Sequence, residues 1–289
     1  MRFLSYWVFP IISGLMWLAT LLGLLLYWII DAHRVHYASM DDDQTIAYIS
    51  DVGASKLKPL FVTGCIITTI FLDLSFGADR WLRHRGRLVP NTSTGEKVLS
   101  GLCIFFAVVG TVGLTCLSGF DTLRYPKLHD IFLLLFIAGY LLSAIFICWE
   151  FQRLGHKNRQ HRVLRISFWI KVIFIIIELA LAIAFGVINF RGDPNTSAVL
   201  EWVIAFVFSF YVFSFYIDLY PAVSTRNNPH PIGDPARQME ETYYATHPSV
   251  APTQRQTQDS QRTLTDGHSH GHGHGYGHQY KARTDQRDF

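Results

Sequence analysis

Charge, cysteine and recognisable catalytic motifs are all scarce in this chain. Only 16% of its 289 residues are Asp, Glu, Lys or Arg, against about 25% in ordinary soluble domains. The four cysteines, Cys65, Cys103, Cys116 and Cys148, all fall in apolar stretches, which gives neither a disulfide framework nor a zinc-binding spacing. Cys103 and Cys148 fall near expected cytosolic ends, where palmitoylation competes with ordinary packing. There is no P-loop, no nucleophile elbow and no H-E-x-x-H pair, so nothing local points to nucleotide, serine-hydrolase or zinc-protease chemistry. No basic, aromatic-interleaved surface suggests nucleic acid, and no resident cofactor is expected. Such absences weigh less in a membrane enzyme, whose groups come from scattered helices.

What the chain has is hydrophobic length. Apolar stretches fill residues 3–30, 57–76, 98–117, 129–151, 164–188 and 198–220. Each reaches about 20 residues, enough helix for the roughly 30 Å hydrocarbon core of a bilayer. Lipid offers backbone groups no partners, so such stretches fold as helices. The expected fold is an all-α polytopic membrane protein with six transmembrane helices over residues 1–221. The first stretch is too long for a typical cleaved leader and reads as a retained span.

The distribution of basic residues orients it. Arg80, Arg83, Arg85, Arg87 and Lys97 follow the second stretch, and Arg153, Lys157, Arg159 and Arg162 follow the fourth. The other loops are poorer, and the first holds Asp41, Asp42 and Asp43. Short loops rich in Lys and Arg stay cytosolic, so both termini are expected there. The sequon Asn91-Thr92-Ser93 then faces the cytosol and stays bare. Asn195-Thr196-Ser197 lies outside, close against the sixth span.

Past Pro221 the composition turns polar and rich in proline and glycine. Residues 222–289 carry too little apolar surface to offset chain entropy and are expected to form a disordered cytosolic tail. His268, His270, His272, His274 and His278 alternate largely with glycine near its end. They are weak metal candidates, because flexible spacing preorganises no geometry.

Three groups of polar residues stand out. Inside the spans, Asp73, Lys171 and Glu178 are costly in lipid and each is a functional candidate. Asp73 and Lys171 are expected to pair, as a helix fastener or as part of a proton, ion or headgroup pathway; the fastener is preferred, since no transport repeat is visible. Near the outer surface, Asp51, Gly53, Asp121, His129, Asp130, Glu201 and Trp202 fall at similar depth. They read as helix caps and loop locks, as a headgroup-recognition face, or as an acid–base set. On the cytosolic side, Arg80, Arg83, Arg85 and Arg87, beside Trp81, suit anionic lipids such as phosphatidylserine and phosphoinositides, besides setting topology.

At these motifs the chain resembles the Frag/DRAM/Sfk family of six-span membrane proteins, most of all its fungal Sfk-like branch. The resemblance runs over nearly all of residues 3–221. It rests on Tyr48-Ile49-Ser50-Asp51 with Gly53-Ala54, on Gly119-Phe120-Asp121-Thr122, and on His129-Asp130. It continues through Gly139-Tyr140, Ser143-Ala144-Ile145-Phe146 and Glu150 to Glu201-Trp202 and Ile217-Asp218-Leu219-Tyr220-Pro221. It departs at Val52, where many relatives place Thr. The resemblance implies a plasma-membrane protein without enzymatic activity that supports phosphatidylinositol 4-kinase and helps maintain phospholipid asymmetry and sterol retention. Other branches imply GPI-anchor lipid remodelling or autophagy, with residence in ER, Golgi or vacuolar membranes. An intramembrane transporter using Lys171 and Glu178 is the third reading. The resemblance carries over no active site.

Overall fold

The computed structural model describes residues 5–91, 93–157, 162–224 and 243. The tail histidines and nearly all of residues 222–289 lie outside the described residues. Among those described, every regular element is helical. They are α1 (Val8–Leu26), continued by a π-helical turn (Tyr27–Asp31), then α2 (Ile49–Ala54), α3 (Lys58–His84), α4 (Thr94–Gly119), α5 (Pro126–Lys157), α6 (Arg162–Arg191), α7 (Pro194–Leu219) and α8 (Pro221–Ser224). Six of them are long and apolar enough to cross a membrane: α1 with its π turn, and α3 to α7.

The spanning helices form a closed ring. Each packs on its neighbour in the chain, with α2 skipped, and α7 returns to α1. Consecutive antiparallel spans leave residues 32–57, 120–125 and 192–193 at one end, the loop side. The N-terminal residues, the turns after α3 and α5, and the end of α7 share the other, the terminal side.

Local chemistry sets the helix ends. The Ser93 N–H donates to Glu96 Oε2 at 3.0 Å, and Asp193 Oδ1 accepts from the Thr196 N–H at 3.1 Å. Both supply partners for groups that the first turn leaves unpaired. Pro194 opens α7, where its missing N–H costs nothing. Gly192, at φ +75°, turns the chain sharply between α6 and α7.

Most helices outrun their apolar stretches, because polar ends project into the headgroup layers. The extension matters most for α3, whose last two turns carry the arginines. Packing between α4 and α5 depends on small residues. A Cβ on Gly113 would sit 2.5 Å from Phe136 N, and one on Gly139 would sit 2.5 Å from Gly110 N. Close backbone approach of this kind is how helices associate in lipid, where the hydrophobic effect does not drive them together. Hydrogen bonds add direction: Ser13 Oγ donates to Thr68 O at 2.7 Å, and Trp17 Nε1 to Ala205 O at 3.0 Å.

Candidate functional site: three polar layers of the bundle

The terminal-side layer is a buried charge network. Lys171 Nζ on α6 donates to Asp218 Oδ2 on α7 at 2.5 Å and to Ser167 Oγ at 2.8 Å. Ser167 Oγ in turn donates to the other Asp218 oxygen. Lys171 is fully buried, and its ammonium lies 5.0 Å from the Phe151 ring centre and 4.5 Å from that of Phe215. The Arg83 guanidinium also stands 5.0 Å from the Phe151 ring centre. Arg83 Nε donates to Asp79 Oδ2 at 2.7 Å and Nη1 to Val89 O at 3.0 Å. Asn91 Nδ2 donates to Glu150 Oε1 at 2.5 Å, again in the interior. Phe151 is thus shared by two cations that each hold a carboxylate.

This layer corrects two sequence expectations. Lys171 pairs with Asp218, not with Asp73. The ring sets α6 between α5 and α7, with α3 not among its packed neighbours, so Lys171 finds its carboxylate on α7 while Asp73 on α3 takes Thr111 of α4. The second correction concerns Arg83. It is 3% exposed, committed to Asp79 and a carbonyl, and so no lipid contact. Arg87 is half-buried, donates to Ala222 O at 2.5 Å and approaches the Tyr6 ring. Arg85 is exposed and stacks 4.6 Å over the exposed Trp81 ring, with Arg80 half-buried nearby in sequence. The amide of Asn91 is buried and donates to Glu150.

The middle layer is sparse. Asp73 Oδ2 accepts from Thr111 Oγ1 at 2.9 Å, and Thr111 Oγ1 lies 2.8 Å from the Tyr140 hydroxyl. Threonine has one hydroxyl proton; with that given to Asp73, Tyr140 is the donor to Thr111. Glu178 stands apart on α6, and its Oε1 is shielded without a hydrogen-bond partner.

The loop-side layer is a clamp. Asp51 Oδ2 accepts from the Tyr48 N–H at 2.9 Å and Oδ1 from Ser39 Oγ at 2.6 Å, which folds residues 39–48 onto α2. Burial pushes the Asp51 carboxyl above its usual value, against hydrogen bonds from Ser39 and Tyr48 that lower it. From α7, Glu201 Oε2 accepts from the Ile49 N–H at 2.8 Å, and Trp202 Nε1 donates to Ala47 O at 3.0 Å. Asn195 Oδ1 accepts from Thr45 N at 2.7 Å and Ile46 N at 2.9 Å. Gly53 packs under the Phe61 ring, where a Cβ would sit 2.6 Å from Cδ1.

The α4–α5 turn has its own locks. Lys58 Nζ donates to Asp121 Oδ2 at 2.9 Å, and the Arg124 N–H to Oδ1 at 2.8 Å. Modest desolvation of Asp121 is outweighed by Lys58 and Arg124, which hold its carboxyl below the ordinary value. His129, buried, places Nδ1 2.9 Å from Phe120 O. Asp130 is exposed. The outer motif residues therefore divide between two locks and one exposed position. Among the described residues no three His, Cys, Asp or Glu side chains come together in a metal-holding group. All four cysteines are free thiols, and Cys103 and Cys148 are buried in the bundle.

Sequence reasoning missed Asp79 and Ser39, and it named Glu150 and Asp218 only as motif residues and Asn195 only as a sequon. Asp79 to Arg83 is an i,i+4 spacing, the signal that could have removed Arg83 from the lipid-facing set. The rest are contacts across the fold that no local pattern announces.

The protein-family comparison matches residues 5–222 to a domain described as "Frag1/DRAM/Sfk1/Cwh43P N-terminal domain". "Protein sfk1" of Schizosaccharomyces pombe is 34% identical over 221 residues, which is 75% of this chain and 64% of that protein. "Protein SFK1" of Saccharomyces cerevisiae is 27% identical over 268 residues, 70% of this chain and 75% of that protein. The chain thus spans just under two thirds of the length of the first of these relatives. No solved structure matches the chain.

Proposed function

The chain belongs to the Frag1/DRAM/Sfk1/Cwh43P family as a multi-pass membrane protein of the Sfk1 type, and from that premise we propose that it is a non-enzymatic organiser of the plasma membrane. In this role it supports phosphatidylinositol 4-kinase at the cytosolic face and helps sustain phosphoinositide levels, phospholipid asymmetry and sterol retention. Its partners are the kinase complex and anionic lipids, phosphatidylserine and phosphoinositides among them.

The observation that carries this reading is the division of labour among the arginines at the end of α3. Arg83 is spent inside the bundle, while Arg85 stacks on Trp81 with both side chains exposed. An exposed cation on an interfacial aromatic is suited to anionic headgroups, at about 1 kcal/mol per basic residue near the surface. The terminal side that carries it is the side that the basic loops assign to the cytosol. A non-catalytic role also accords with the loop side, where Asp121, His129 and Glu201 are each engaged in tying loops to helices.

The test is recruitment. Cells expressing Arg80→Ala/Arg85→Ala at wild-type level should hold less phosphatidylinositol 4-kinase at the plasma membrane, with the protein itself still located there. Unchanged recruitment at equal expression rejects the cytosolic-face part of the reading.

A further inference from the structure

α5 and α6 part company towards the loop side. Between them and α7 lies a crevice of about 110 Å³, or about 1010 Å³ with its open mouth. A single water needs only roughly 10–15 Å³. Its walls run from Leu133 to Ala144 on α5, from Phe174 to Phe185 on α6 and from Glu201 to Tyr211 on α7, with Trp17, Phe61 and Leu114 at the back. Along that stretch α6 has no fully buried residue; Phe174 and Ile175, at its start, pack against the core. Its level in the bundle makes lipid the neighbour at the mouth.

Two acidic side chains are set into this otherwise apolar wall, Glu178 and Glu201, and no Lys, Arg or His lines it. Glu201 uses one oxygen to hold the Ile49 N–H. Glu178 lies about 20 Å from the loop-side end of α6, near the middle of the helix, with Oε1 shielded and unpartnered. An unmet acceptor of this kind is costly and marks either strain or a missing partner. The complementary molecule is mostly apolar, carries a hydrogen-bond donor and bears no negative charge. Phosphate headgroups fail on charge against two carboxyl groups and on depth.

We propose that this crevice binds a neutral membrane lipid whose one hydrogen-bond donor is a hydroxyl, which donates to Oε1 of Glu178. The site is independent of the arginine face described above. Sterols and diacylglycerols share this chemistry, and the experiment separates them.

The full chain is reconstituted in phosphatidylcholine nanodiscs. It is irradiated in turn with a photoreactive, clickable sterol, a diacylglycerol and a phosphatidylcholine, and adducts are mapped by mass spectrometry. At least one hydroxyl probe should label crevice residues of α5 or α6, and whichever does so names the source. Glu178→Leu should cut that labelling at least fivefold, and Ala182→Trp, which fills the crevice, should abolish it. Glu178→Leu removes an unsatisfied acceptor, so the bundle should tolerate it; Ile176→Trp, on the lipid-facing side of α6, should leave labelling unchanged. Equal labelling of the same residues by the phosphatidylcholine probe would mean annular contact only and overturn the proposal. So would labelling that survives Glu178→Leu, or that both hydroxyl probes fail to give.

Discussion

Lys171 and Asp218 meet at 2.5 Å with both side chains almost wholly enclosed, 0% and 2% exposed. Three helices converge there, since the pair joins α6 to α7 and its ammonium rests on Phe151 of α5 and Phe215 of α7. A pair buried this deeply is not free stabilisation, because both ions lose their hydration. Its value lies in what happens when one partner goes.

Lys171→Met alone strands the Asp218 carboxylate, and Asp218→Asn alone strands the ammonium. Each should cost about 3–5 kcal/mol, seen as a large drop in the thermal midpoint of the detergent-solubilised protein. The double variant should recover most of that loss. Single variants as stable as wild type would remove the pair from the account.

Arg83 and Arg85 should behave oppositely although two residues apart. Arg83→Ala leaves Asp79 and Val89 O without their partner inside the bundle and should cost about 3 kcal/mol or more. Arg85→Ala should leave the melting temperature unchanged and weaken retention of co-purified phosphoinositide by about fivefold, near 1 kcal/mol. Thermal melts and lipid mass spectrometry on the same samples decide it.

The spans themselves were legible in advance, since hydrophobic length alone determines which segments cross lipid, and the six stretches recur as α1 with its π turn and α3 to α7. The extent of α3 was not legible. Its last two turns mix Asp79, Arg80 and Arg83 with Trp81 and Leu82, a pattern that hydropathy reads as a loop but that an amphipathic helix in the headgroup layer satisfies. Nor was the partner of Lys171 legible, because depth alone does not say that α6 stands beside α7 and not beside α3. The outer motifs stand out in the sequence as residues, but their partners do not. Asp51 to Tyr48 is a local cap that spacing suggests, whereas Glu201 to Ile49 and Asn195 to Thr45 join segments about 150 residues apart.

The Lys58–Asp121 contact gives a pH signature. Asp121 is held below its ordinary value of 3.8, so its contribution is complete above that value and disappears as pH falls through the depressed folded value. The stability difference between wild type and Asp121→Asn should therefore be constant from pH 7 to pH 5. It should shrink only below about pH 4. A difference that fades between pH 7 and pH 5 would assign the effect to another group.

The sidedness of the bundle is open to direct labelling. Cysteine placed at the exposed Asp42 should react with a membrane-impermeant maleimide added to intact cells, after the native cysteines are replaced. Cysteine at Arg85 should react only after permeabilisation. The reverse pattern would put the arginine face outside the cell and remove its proposed lipid partners.

The central claim is that this membrane protein sustains phosphoinositide at the cytosolic face without catalysing a reaction. The most direct measurement is plasma-membrane phosphatidylinositol 4-phosphate, with exposed aminophospholipid scored in the same cells, after deletion and re-expression. The account predicts a fall in phosphoinositide on deletion and a gain in exposed aminophospholipid. Wild type and the outer-face variant His129→Gln should restore both, and Arg80→Ala/Arg85→Ala at equal expression should not. Normal phosphoinositide after deletion, or full rescue by the double arginine variant with failure of His129→Gln, would contradict it.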